Sequence, residues 1–213
     1  MEIVPGCNVR LGASVARCHA KGVSTTMIIS MSKRMMRRSF EKTLYRFTEI
    51  PEVRLSGTLG VYVHVPFCFS KCSFCPFYKE IFSQELKTRY ICAIRREIGH
   101  TDMQGTAKWV YFGGGTPNTL ATEDLCQIVE AIKAKARVNR MGIELLPATV
   151  TDDYLKGLKR IGFTKISVGV ESFSDKVINR TGRTIATCDR VNELIALAKA
   201  IGLWVNVDMM VYR

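Results

Sequence analysis

"YVHVPFCFSKCSFCPFY", residues 62–78, joins a β-branched, aromatic run to a loop carrying Cys68, Cys72 and Cys75. The run 61–65 has the composition of a strand. Pro66 closes it, and three thiols follow within eight positions. A structural zinc ordinarily takes four ligands. Here Pro76, Phe77 and Tyr78 come next, with no fourth cysteine or histidine close by. A zinc site completed from a distance by His64 or Cys92 is one reading. The Cys-x3-Cys-x2-Cys spacing favours another, in which three thiolates hold three irons of a four-iron cluster. The fourth iron then keeps an open position, as a catalytic metal does.

Downstream, strands and helices alternate. Residues 83–99 read as a helix with Leu86, Tyr90, Ile91, Ile94 and Ile98 on one face. "WVYFGGG" (109–115) is a strand running into glycines, and Thr122 caps a helix over 123–137. "GIELLP" (142–147) is a third strand, and 151–162 a short helix ending at Gly162. "KISVGVESF" (165–173), a helix over 186–201 and "LWVNVDMMV" (203–211) complete the pattern. Such spacing predicts βαβ units with parallel strands, forming part of a barrel or an open doubly wound sheet. Parallel strands need covering on both faces. A sequence that stops at Tyr212 and Arg213, immediately after a strand, therefore suggests a fragment, a truncated chain or a partner-dependent half.

Composition narrows the setting. The 213 residues suffice for one core, and 47% hydrophobic with 23% charged content is that of a globular protein. The net charge is +12, but ten Lys/Arg against four Glu precede Gly60, so half of it sits in a basic N-terminal segment. We divide the chain into this segment, 1–57, and a core, 58–213. No acidic residue occurs from Ile3 to Phe40, which gives the segment an organellar-transit composition or that of a basic amphipathic helix. No basic stripe interleaves with aromatics, so no nucleic-acid partner is expected. No apolar run reaches membrane-spanning length, and no signal peptide is evident. Eight cysteines then point to metal or redox chemistry in a reducing, cytoplasmic setting, with Cys92 and Cys126 as small core residues.

In parallel α/β proteins ligands gather at the carboxyl ends of the strands. The cysteine loop, the Gly113–Gly114–Gly115–Thr116 run, Glu144, Glu171 and Asp208 each fall at such an end. A carboxylate in an apolar strand costs several kcal/mol unless paired or liganded. Three at equivalent places argue for one shared polar ligand.

"YVHVPFCFSKCSFCPFY", "YFGGGTP", "IELLP", "ISVGVESF" and "VNVDMM" together resemble the radical S-adenosylmethionine superfamily, in the branch containing oxygen-independent coproporphyrinogen III oxidase. The resemblance covers about 58–212. It implies a partial (β/α) barrel of about five parallel strands with surrounding helices, ending after the fifth. It implies a [4Fe-4S] cluster on Cys68, Cys72 and Cys75, whose open iron is chelated by S-adenosylmethionine, and release of a 5′-deoxyadenosyl radical. Tyr62 and Phe74 would contact the cofactor. Gly114, Gly115 and Thr116 would line its methionine end, and Glu144 would bind it. Glu171, Arg183 and Asp208 match further S-adenosylmethionine contacts, although the oxidase has glutamine where Glu171 stands. Implied partners are a tetrapyrrole substrate or haem, an electron donor such as a flavodoxin or ferredoxin, and a second chain that completes the barrel. Phe77 replaces a further cysteine of the oxidase, which brings the chain closer to haem chaperones and anaerobic haem-degrading methyltransferases.

Overall fold

The computed structural model describes residues 54–73, 75, 77–174, 176–178 and 186–210. The basic segment lies outside the described residues as far as residue 53, as do Phe74 and Arg183.

Five parallel strands form the main sheet in sequence order: β1 (Arg54–Val65), β4 (Asp102–Gly114), β6 (Met141–Leu145), β7 (Lys165–Glu171) and β8 (Trp204–Met209). Three two-residue strands are ancillary. β2 (Phe67–Cys68) pairs with β3 (Glu80–Ile81), and β5 (Arg137–Val138) joins β4. The helices are α1 (Gln84–His100), α2 (Thr122–Lys133), α3 (Asp152–Ile161) and α4 (Cys188–Ala200). This is the expected partial barrel. Among the described residues the sheet does not close, and β1 and β8 are its edges.

Alternation decides which face does what. Val63, Val65, Val110, Phe112, Ile143, Leu145, Ile166 and Val168 are buried in the core. Buried faces of the helices complete that core: Ile91 and Ile98, Leu125, Ile128 and Ile132, Leu155 and Leu158, Val191 and Leu194. Each such side chain contributes about 1.5–3 kcal/mol on burial. The intervening strand positions, Tyr62, His64, Tyr111, Gly113, Glu144, Ser167, Asn206 and Asp208, fall on the opposite face, where the chemistry collects.

Several boundaries differ from expectation. β1 and β4 begin about seven residues early, pairing from Arg54↔Asp102 onward. Their register shifts between Leu59 and Gly60, where Lys108 on β4 is the extra residue. Thr122 is the first residue of α2 rather than its cap. The cap is Ala121, whose N–H donates to the Asp124 carboxylate at 3.1 Å. Arg137, expected at a helix end, starts β5 instead. Gly162 does stop α3 in a left-handed conformation, φ 108°. Cys92 is exposed and Cys126 only part-buried, so neither is a core residue. Among the described residues no helix is long and apolar enough to cross a membrane.

Candidate functional site

The cysteine loop leaves β1 through Pro66 and is pinned at its base. Phe67 and Cys68 pair with Glu80 and Ile81, and the Phe82 N–H donates to the Cys68 carbonyl at 3.0 Å. Inside it the Cys75 N–H faces the Cys72 carbonyl at 3.4 Å, a loose turn. Cys68, Cys72 and Cys75 line one small pocket of about 40 Å³ together with Lys79, Gly115 and Thr116.

The glycine turn after β4 is stitched onto this loop. Gly115 N–H donates to Val65 O and Thr116 N–H to Phe67 O, both at 2.7 Å. The Thr116 hydroxyl lies 3.5 Å from the Cys68 sulfur. Glycine is demanded here by the protein itself. Gly114 has φ 115°, and a Cβ on it would sit 2.7 Å from the His64 ring. A Cβ on Gly115 would sit 2.6 Å from the Phe67 carbonyl oxygen. Close backbone packing, not only close approach of a ligand, thus fixes the run.

A second cavity of about 270 Å³ adjoins the first, with Cys75, Gly115, Thr116 and Leu146 lining both. Its wall also includes Gly114, Glu144, Glu171 and Asp208, which unites the carboxyl ends of β4, β6, β7 and β8. Glu144 is half-buried and accepts the Gly114 N–H at 3.3 Å. Burial raises its pKa, the Gly114 hydrogen bond opposes that, and Asp208 raises it again. Tyr111 also hydrogen-bonds Glu144, which favours the ionised carboxylate. Asp208 is exposed rather than buried, because β8 is an edge strand; Asn206 donates to it at 2.6 Å and to Ser167 at 3.3 Å. Glu171 has φ 66°, unusual for a residue with a side chain, at a register shift between β7 and β8. Such backbone costs on the order of 1–3 kcal/mol and gathers at functional sites.

Tyr62 is 57% exposed on the inner face, with its ring stacked on Tyr111 at 6.5 Å between centroids. Burial, then the charges of Glu144 and Tyr111, push its phenol up. Burial pushes the Cys68 thiol up as well, against the Thr116 hydrogen bond; Cys75 adds to the rise, Lys79 lowers it and Cys72 adds again.

The structure therefore brings Cys68, Cys72, Cys75, Gly114, Gly115, Thr116, Glu144, Glu171 and Asp208 around two adjoining cavities, with Tyr62 beside Glu144 on the inner face. Phe74 and Arg183 lie outside the described residues. Three residues were missed in the sequence. Tyr111 was legible as the inner-face position two before Gly113. Lys79 and Leu146 carried no local signal.

The donor set suits an iron–sulfur cluster. Three soft thiols favour iron–sulfur centres, and they surround a pocket. Among the described residues no three His, Cys, Asp or Glu side chains are placed to hold a single metal ion. The adjoining cavity presents the carboxylates of Glu144, Glu171 and Asp208 to a polar ligand.

A family model described as the radical SAM superfamily matches residues 62–213. The chain is 30% identical over 131 residues to heme chaperone HemW of Bacillus subtilis, covering 58% of this chain and 35% of the relative. It is 28% identical over 164 residues to anaerobilin synthase of Escherichia coli O157:H7, covering 73% and 36%. The solved structure of coproporphyrinogen III oxidase (HemN) from Escherichia coli, titled a radical SAM enzyme, superposes with a TM-score of 0.65 at 25% identity, covering 74% and 37%. The chain thus spans little more than a third of the length of these relatives. On its motifs, its sheet and these matches, the chain belongs to the radical SAM superfamily, in the branch of oxygen-independent coproporphyrinogen III oxidase.

Proposed function

We propose that the chain is a radical SAM iron–sulfur protein of tetrapyrrole metabolism, oxidase-like in its chemistry. The observation that carries this reading is the continuity of the two cavities, one rimmed by three thiols and the other by strand-end carboxylates. Cys68, Cys72 and Cys75 would hold a [4Fe-4S] cluster. Gly114, Gly115, Thr116 and Glu144 would receive the methionine end of S-adenosylmethionine, and Tyr62, Glu171 and Asp208 would make further contacts. When bound, cluster and S-adenosylmethionine together supply one-electron cleavage of the sulfonium bond to a 5′-deoxyadenosyl radical.

The chain's own residues orient and shield. The Gly114 N–H and the Tyr111 hydroxyl fix the Glu144 carboxylate, so a ligand amine meets a preorganised acceptor. Thr116 offers its hydroxyl to the Cys68 sulfur. Leu146 adds apolar lining to both cavities. The β8 edge is where further strands, such as those of a second chain, would continue the barrel. A flavodoxin- or ferredoxin-like donor would supply the electron.

A second reading is haem delivery without turnover. It is favoured by Phe77, 66% exposed at the cavity wall where the oxidase has a further cysteine. One experiment separates the two. The anaerobically reconstituted protein is given coproporphyrinogen III or haem with S-adenosylmethionine and a reductant. Conversion of the tetrapyrrole supports the enzyme. Stoichiometric haem binding with the haem recovered unchanged supports delivery and sinks the oxidase-like reading.

A further inference from the structure

Lys79 is the residue of the cysteine loop that neither motif nor spacing singled out. Its side chain turns back into the loop. The Nζ lies 2.9 Å from the Cys75 carbonyl oxygen and 3.5 Å from that of Cys72. The Cys72 carbonyl is also the acceptor of the turn's own backbone hydrogen bond, from the Cys75 N–H, which is stretched to 3.4 Å. Lys79 is half-buried and lines the thiol pocket, whereas Lys71 of the same loop is exposed and lines neither cavity. Two consequences follow physically. A loose turn gains charge-assisted hydrogen bonds, roughly twice as strong as neutral ones. A positive charge is also held at a fixed place beside three sulfurs, where partial burial weakens solvent screening.

We propose that Lys79 is the electrostatic positioning residue of this loop, clipping the Cys72–Cys75 turn and keeping a positive charge beside the thiol pocket. The inference rests on the reading that the three cysteines hold a four-iron cluster. One-electron reduction by an external reductant adds one negative charge to such a centre and changes no covalent bond. A nearby ammonium stabilises the reduced form more than the oxidised form, so Lys79 raises the reduction potential.

The test compares wild type, Lys79→Met and Lys79→Arg after anaerobic reconstitution, by iron content and by a redox titration followed by electron paramagnetic resonance. Lys79→Met is expected to lower the equilibrium constant for reduction about tenfold, a shift of about 59 mV for a one-electron couple. Lys79→Arg, which keeps charge and donors, should stay within threefold of wild type. A methionine variant at the wild-type potential overturns the inference, and so does an arginine variant shifted as far as methionine. If Lys79→Met holds no iron while Lys79→Arg does, the clip is supported; if both lose it, the inference falls. Wild type without a four-iron signal overturns the proposed function itself, a result distinct from all of these.

Discussion

The Gly114 N–H and the Glu144 carboxylate meet at 3.3 Å across β4 and β6, joining the glycine turn to a half-buried carboxylate of the inner face. Burial makes this carboxyl harder to ionise in the folded chain than in the unfolded one. The folded state therefore holds the proton more tightly, and ionisation destabilises it. The penalty is absent below the ordinary carboxylate range, grows as pH rises toward the raised value, and is constant above it. Glu144→Gln removes it. Melting temperatures of both proteins at pH 4.5 and 7.5 should show wild type losing more, or gaining less, across that interval than the variant.

The glycine turn yields a contrast within one residue type. A Cβ at Gly115 would lie 2.6 Å from the Phe67 carbonyl, whereas one at Gly99, near the end of α1, meets nothing within 4 Å. Gly115→Ala should cost about 1–3 kcal/mol through overpacking. Gly99→Ala should be neutral or stabilise by about 0.4–1 kcal/mol. Urea midpoints measure both.

Much of this was legible in the sequence, and what escaped has physical causes. Strand ends after β4, β6 and β7 were marked by Gly113–Gly115, Pro147 and Glu171, because special residues stand where the chain must turn or bind. The early halves of β1 and β4 escaped because 54–59 and 102–108 mix polar and apolar residues without alternation and are interrupted by Gly57 and Gly105; they are strands through pairing with each other. Cys92 was misread because it neighbours buried Ile91 on α1 but projects outward. Asp208 is exposed where β8 has no neighbour on its far side among the described residues. The Tyr111–Glu144 contact needs the register of two strands, which no local pattern contains.

Asn118 ties the turn after β4 to the turn after β6. Its Oδ1 accepts the Leu146 N–H at 2.8 Å, and its Nδ2 donates to Leu146 O at 3.1 Å and to Thr149 Oγ1 at 2.7 Å. Leu146 lines both cavities. Asn118→Ala leaves the Leu146 N–H without its acceptor, while Leu146 O and Thr149 Oγ1 keep their bond to each other, and should cost about 1–3 kcal/mol. Because the lost bonds hold a cavity wall, S-adenosylmethionine affinity measured by calorimetry on the reconstituted protein should weaken as well.

The central claim is that the three-thiol loop and the strand-end cavity form one site for radical chemistry. It is tested most directly by 5′-deoxyadenosine formation from S-adenosylmethionine under dithionite, in wild type and in Cys72→Ala. The account predicts product from the wild-type chain and loss of both cluster iron and product in Cys72→Ala. Wild-type protein that holds a four-iron cluster and binds S-adenosylmethionine yet forms no 5′-deoxyadenosine, or a Cys72→Ala variant that forms as much, would contradict it.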